Sequence, residues 1–267
     1  MQTVHLTFSA EGRLALFPDE AARRRAVRAL ARVGGDALLL FCVVDDHVHV
    51  VVRSEPDRTG RLARALLLAL RAVAADGILP AHLRPVTDRA HLQWLVRYVL
   101  HQPAKHALGT HPALWSGSCL PDLVGARVLP GAALAATLAA QLPRLRQRTL
   151  FEAVGLPPQP LEPVTDEQLR GLGLADLVAA SSAAVAADPA LAGRDATTTT
   201  ARSIAAQLGS AAGFRSEQLA WALHVSAQAV RRYRRRSLDP ALVRAARLQL
   251  ALVLAVRALP PAPVPAP

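Results

Sequence analysis

The stretch Ala37-Leu38-Leu39-Leu40-Phe41-Cys42-Val43-Val44-Asp45-Asp46-His47-Val48-His49-Val50-Val51-Val52-Arg53 decides the fold of the first half of the chain. Residues 37–44 form a short, wholly apolar run suited to a buried strand. Asp45-Asp46 interrupts it with turn chemistry, and residues 47–53 resume as a second strand, so the pair reads as a hairpin. Working outward, residues 4–8 alternate around His5 and Thr7 and predict a strand. Pro18-Asp19-Glu20 opens a basic amphipathic helix to about residue 33, stopped by Gly34-Gly35. Residues 59–75 predict a helix with leucines on one side and Arg61, Arg64 and Arg71 on another. A short strand is expected near 83–87. Asp88 then caps a helix reaching about residue 101, which Pro103 ends or kinks. The order strand, helix, strand, strand, helix, strand is that of the ferredoxin-like split βαβ motif.

The second half reads differently. A helix is expected over 131–141, and Leu156-Pro157-Pro158-Gln159-Pro160-Leu161-Glu162-Pro163 predicts a linker and a domain boundary. Helices are expected over 174–187, 200–209, 216–223, 227–236 and 240–256, before a proline-rich, disordered tail. The expected class is therefore α+β: a ferredoxin-like domain over 1–125, a helical extension and linker over 126–165, an all-α domain over 166–257 and a tail over 258–267.

The 267 residues hold 31 basic and 20 acidic side chains, a formal charge of +11, and Lys105 is the only lysine. Such an arginine excess favours a polyanionic partner, because the planar guanidinium donates two parallel hydrogen bonds to phosphate. Nucleic acid is the leading class and an anionic membrane surface the second. A hydrophobic content of 52% excludes wholesale disorder. Cys42 and Cys119 are too few for a disulfide framework or a zinc cluster. No signal peptide and no apolar run of membrane-spanning length is legible, so a cytoplasmic protein without a membrane partner is expected.

Two motifs carry chemistry. In a strand, residues two apart share a face, so His47 and His49 present adjacent imidazoles able to bind a divalent metal. Alone, His-x-His reads equally well as two polar residues on a wet face. Tyr98 and Gln102 are four apart and share a helical face, where a tyrosine alone is ordinarily a core residue.

Together the motifs resemble the HUH-superfamily single-tyrosine transposases, particularly the REP-associated tyrosine transposase group. That family carries Pro-Asn-His-Val-His-Leu on a strand, matched by Asp45-Asp46-His47-Val48-His49-Val50. Its later Tyr-Ile-x-x-Asn-Pro or Tyr-Ile-x-x-Gln is matched by Tyr98-Val99-Leu100-His101-Gln102-Pro103. Lys105-His106-Ala107-Leu108 and Trp115-Ser116-Gly117 follow where the family has Lys-Ala-Gly-Leu and Trp-Ser-Ser. The resemblance covers roughly residues 1–125. It implies that His47, His49 and Gln102 hold Mg²⁺ or Mn²⁺ and that Tyr98 attacks DNA, leaving a 5′-phosphotyrosine and a free 3′-hydroxyl. The implied substrate is single-stranded DNA bearing hairpins, with duplex flanks as a further contact. A homodimer, in which the tyrosine acts on a second copy's site, is the arrangement some relatives use. Asp45-Asp46 departs from Pro-Asn, Gly117 departs from the second serine, and the family's arginine-rich aromatic segment shrinks to Leu79-Pro80-Ala81-His82-Leu83-Arg84. Either aspartate is a candidate for orienting a histidine.

Residues 216–223, His224-Val225-Ser226 and 227–236 have helix-turn-helix spacing, with Ala220 where the helices cross and Val230 facing the core. The second helix carries Arg231, Arg232, Arg234, Arg235 and Arg236, candidates for phosphate and guanine contacts. With the preceding helices this region resembles the C-terminal DNA-binding domain of DnaA. The leading expectation is metal-assisted DNA nicking and strand transfer of the transposase type. The alternatives are a catalytically inactive, domesticated DNA-binding regulator and, more distantly, an RNA-binding domain, against which the lack of a paired aromatic platform at Phe8 and Phe41 counts.

Overall fold

A computed structural model describes residues 1–13, 15–106 and 108–260. Four strands, β1 (Gln2–Ser9), β2 (Leu38–Val43), β3 (His47–Ser54) and β4 (His82–Pro85), form one sheet in the order β2-β3-β1-β4, with every neighbouring pair antiparallel. The hairpin expected around Asp45-Asp46 is the β2–β3 pair. Every residue of β2 is buried, whereas all four residues of the edge strand β4 are exposed. On β1, Val4, Leu6 and Phe8 enter the core while His5, Thr7 and Ser9 share the opposite face, facing Val51, His49 and His47 across the β1–β3 pair. The alternation thus sends one face into the apolar interior and gathers polar residues of two strands on the other.

Twelve α-helices lie among the described residues: α1 (Glu20–Gly34), α2 (Pro56–Arg71), α3 (Arg89–Lys105), α4 (Leu120–Leu123), α5 (Leu134–Gln141), α6 (Gln147–Ala153), α7 (Asp166–Arg170), α8 (Leu174–Ala183), α9 (Ala196–Ala211), α10 (Ser216–Ala222), α11 (Ala227–Arg234) and α12 (Pro240–Arg257). The chain is therefore of mixed α+β class. Asp88 caps α3 as expected, accepting from the amide of His91 at 2.8 Å, and Asp19, expected in the first turn of α1, instead caps it through the amide of Ala22 at 2.6 Å. Among the boundaries that differ from expectation, three have a clear local cause. α2 starts three residues early, because Pro56 occupies the first helical turn where its missing N–H costs nothing. α3 does not end at residue 101 but runs through Pro103 to Lys105. A proline this close to a helix end forfeits a single bond. α9 begins at Ala196 rather than 200, because the Asp195 carboxylate caps it through Thr198 N at 3.0 Å.

Buried side chains fall into two clusters. The first joins the sheet, α1–α3 and residues as far as Leu156, so the extension after residue 125 packs into the first core rather than standing apart. The second begins at Val164 and draws on α7–α12. α12 serves both: Leu248 and Leu252 enter the first cluster, while Ala245, Ala246 and Leu250 enter the second. A helix apolar on two faces is stable only when both are covered. Arg24 of α1, 4% exposed, reinforces the junction by donating to Ser182 Oγ and Ala187 O, both at 2.8 Å. The start expected for the tail also shifts. Ala258 N and Leu259 N still bond back to Leu254 O and Val256 O, and Leu259 packs on the first cluster. The rest of that expected tail, 261–267, lies outside the described residues. No described helix is long and apolar enough to cross a membrane.

Candidate functional site

The polar face of β1 and β3 lies beneath α3. The register sets Thr7 beside His49 and Ser9 beside His47, and the pleat aims both imidazoles at the helix. From α3 comes Tyr98, whose ring meets His49 edge-on at a centroid distance of 5.2 Å. Gln102, one turn further on, is 1% exposed. The four residues singled out by the two motifs therefore meet in one site.

The imidazoles form a bonded chain. Asp46 Oδ1 lies 2.7 Å from His47 Nδ1, His47 Nε2 lies 2.9 Å from His49 Nε2, and His49 Nδ1 lies 3.0 Å from His5 Nε2. Because Asp46 accepts the Nδ1 proton of His47, the neutral His47 ring offers a lone pair at Nε2. For His49 Nε2 to offer a lone pair as well, its proton sits on Nδ1 and is donated to His5 Nε2. Burial, followed by the neighbouring His47 and His5, lowers the His49 pKa to about 3. Burial likewise lowers that of His5 to about 4, with help from Arg84, His91 and His82. Asp46 remains below the ordinary carboxylate range: desolvation pushes it upward, but the hydrogen bond and charge of His47 outweigh that. At neutral pH the His5 and His49 rings are thus uncharged, and His49 is held as a potential ligand.

The donor set fits a divalent cation. Two nitrogens about 2.1 Å from one ion at right angles stand about 3.0 Å apart, close to the 2.9 Å between the two Nε2 atoms. Gln102 donates from Nε2 to Tyr98 O at 3.0 Å, which turns its Oε1 toward the His49 ring. Beyond its approach to the His49 ring, that buried oxygen makes no hydrogen bond of ordinary geometry, and an orphaned acceptor is costly unless something binds it. Each Nδ1 also has an orienting partner, Asp46 for His47 and His5 for His49. The set is two imidazoles and an amide; no group of three or more His, Cys, Asp or Glu residues able to hold a metal occurs among the described residues.

Asp45 and Asp46 have separate tasks. Asp46 orients His47, while Asp45 pairs with Arg23 at 3.4 Å, and Arg23 in turn lies over the Trp115 ring at 4.2 Å. Gly117 also has a physical reason. Its carbonyl accepts from Val43 N at 2.9 Å, and a Cβ there would stand 2.2 Å from Val43 O. Sequence reading missed His5 as a partner of His49, although its strand alternation with Thr7 was the available signal. It also missed Lys105, whose Nζ lies 5.7 Å from the Tyr98 ring centroid. His106 reaches His47 at a ring distance of 4.8 Å.

The arginines of α11 build a second site. Ser226 caps the helix through Ala229 N at 3.2 Å, and Val230 and Tyr233 anchor it in the second core. Gly209 of α9 gives Leu219 of α10 room, since a Cβ there would come within 2.4 Å of its methyl group. Ala220, expected where α10 and α11 cross, is partly buried against the same core. Arg231, Arg232, Arg235 and Arg236 line a groove of about 1460 Å³ with Arg194 and Arg202. Arg234 does not line that groove but a smaller hollow shared with Arg231 and Arg235. α11 ends at Arg234 rather than 236, so Arg231, Arg232 and Arg234 lie on it and Arg235 and Arg236 just beyond; all five are exposed, and none pairs with a carboxylate among the described residues. Arg202 has a framing role: it is 7% exposed and donates to Gly193 O and Leu191 O at 2.9 and 2.7 Å, shaping the loop before α9.

No protein-family model, curated protein or solved structure matches the chain.

Proposed function

We propose that the protein nicks and rejoins single-stranded DNA as a single-tyrosine transposase of the HUH type, acting in the cytoplasm. The observation that carries this reading is the meeting of Tyr98 with His47, His49 and the orphaned Oε1 of Gln102. The sheet order β2-β3-β1-β4, with one helix between β1 and β2 and another between β3 and β4, supports a ferredoxin-like N-terminal domain. α10 and α11, joined by a short turn, support a helix-turn-helix in the C-terminal half.

His47, His49 and Gln102 would hold Mg²⁺ or Mn²⁺, with two imidazoles suiting Mn²⁺ better. Such an ion withdraws charge from the nonbridging phosphate oxygens. The chain's own residues do the rest. Asp46 and His5 fix the tautomers and orientations of the two histidines. Lys105 adds a positive charge beside the tyrosine ring, where the phosphate must approach. Tyr98 forms the new O–P bond as the bond to the 3′ oxygen breaks; the phenol's proton passes to water, and the 3′ oxygen takes a proton from water to leave as a hydroxyl. The phosphodiester is conserved as a 5′-phosphotyrosine, so rejoining to another 3′-hydroxyl needs no nucleotide cofactor. The arginine groove holds hairpin or duplex flanks through phosphates. A homodimer, with the tyrosine serving a second copy's site, is an arrangement compatible with the same chemistry.

Incubating the protein with Mn²⁺ and a 5′- or 3′-labelled, hairpin-bearing single strand tests the reading. A covalent protein–DNA adduct is expected from the native chain and not from Tyr98→Phe. Equal behaviour of the two removes Tyr98 from the mechanism. One observation favours a second reading, a non-catalytic DNA-binding regulator: the arginine groove is complete without any residue of the histidine site. That protein would bind DNA with a steep salt dependence and form no adduct.

A further inference from the structure

Beside Tyr98 lies a feature that the strand-transfer chemistry above does not use. Trp94, one turn earlier on α3, stacks on the Tyr98 ring with a centroid distance of 4.9 Å and an interplanar angle of 17°. It is 56% exposed, unusual for the largest apolar side chain. Tyr98 covers one face of the indole, so the exposed area belongs to its rim and other face. Trp94 also lines a hollow of about 370 Å³ between α3 and the segment entering α6, with Gln93, Arg97, Arg144 and Thr149. Arg97 and Arg144 are exposed, and neither pairs with a carboxylate among the described residues. No acidic side chain lines the hollow.

We infer that this hollow is a nucleotide subsite of the single strand: Trp94 stacks on the base next to the scissile phosphate while Arg97 and Arg144 hold the flanking phosphates. The inference rests on the strand-transfer reading and specifies how its substrate is held. An aromatic face beside paired guanidiniums is the chemistry by which single strands are bound without reading base edges, since every base has a π-face. A duplex cannot use it, because its bases are already stacked on each other. The stack of Tyr98 on Trp94 also ties the tyrosine ring to the subsite, so an occupying base and the attacking oxygen share one rigid helix turn. Trp94 is accordingly a positioning residue, acting on the strand rather than on the reacting atoms.

The test is a double-mutant cycle in the full-length Tyr98→Phe chain, which keeps the aromatic stack and removes chemistry. Affinities are measured for a labelled oligothymidylate, the same strand with every base removed, and a duplex. Trp94→Ala is expected to weaken oligothymidylate binding about tenfold, leave the abasic strand and the duplex unchanged, and be largely restored by Trp94→Phe. Arg97→Ala should weaken the oligothymidylate and the abasic strand alike. Equal loss on the abasic strand, or no loss on oligothymidylate, overturns the stacking subsite while leaving the strand-transfer reading intact. Failure of the parent chain to bind any single strand overturns both.

Discussion

The histidine–tyrosine site and the arginine groove are built on opposite principles. The first gathers side chains from β1, β3 and α3, buries most of them and bonds them to one another. The second takes most of its charge from the last turn of one short helix and the two residues after it, leaves those arginines exposed and bonds none of them to a carboxylate among the described residues. Chemistry needs atoms held within fractions of an ångström, which only tertiary packing supplies. Holding a polyanion needs only charge at roughly the right spacing, which one helix provides. The two sites should therefore fail differently when mutated: the first as a unit, the second arginine by arginine.

The largest expected effect breaks the first site outright. Tyr98→Phe should reduce covalent adduct formation by about 10³-fold or more, read on a denaturing gel, while leaving duplex affinity unchanged. Next is the acid response of the metal-free protein. His5 and His49 have folded pKa values of about 4 and about 3 against 6.5 when unfolded. Below pH 6.5 the unfolded chain binds protons that the folded one refuses, so stability is full above 6.5 and falls as pH drops toward 4 and then 3. With two such groups the unfolding constant should rise by up to about a hundredfold per pH unit around pH 5. A flat denaturation midpoint from pH 7 to 4.5 would remove the neutral, buried imidazole pair from the account. Asp46→Asn should weaken Mn²⁺ binding by about 10- to 100-fold in calorimetry, because the amide no longer fixes His47 as strongly.

Smaller effects belong to the groove. Arg232→Ala should lower duplex affinity by about three- to tenfold and reduce the slope of log affinity against log salt by about one. Arg232→Ala combined with Arg235→Ala should give close to the sum of the single changes in free energy. His49→Ala combined with Asp46→Asn should cost Mn²⁺ affinity little more than His49→Ala alone, since removing either disables one ligand pair. Additive behaviour in both sites would erase the distinction between them.

What the sequence made legible follows the same division. The period-two pattern of residues 47–53 identified β3 and put His47 and His49 on one face, and the four-residue spacing did the same for Tyr98 and Gln102. That those two faces meet depends on β1 pairing with β3 and on α3 crossing the sheet, which no local pattern states. His5 escaped for this reason: its role exists only across the β1–β3 pair. The continuation of α3 past Pro103 was lost because proline dominates local propensity, although near a helix end it forfeits little. The clustered arginines of α11 were legible because they are local. Which of them face the groove was not, since that depends on how α11 seats against α9. The attachment of the two cores through α12 and Arg24 was equally invisible, because a two-faced apolar helix reads from sequence as an ordinary core helix.

The central claim is that Tyr98 is the nucleophile of the site built by His47, His49 and Gln102. Digesting the protein after reaction with Mn²⁺ and a hairpin-bearing single strand, then locating the nucleotide-linked peptide by mass spectrometry, tests it most directly. The account predicts a phosphotyrosyl-nucleotide on the peptide containing Tyr98, formed with Mn²⁺ and absent when a chelator is added. An adduct on Tyr233, the other tyrosine of the chain, or no adduct at all with intact DNA binding, would contradict it.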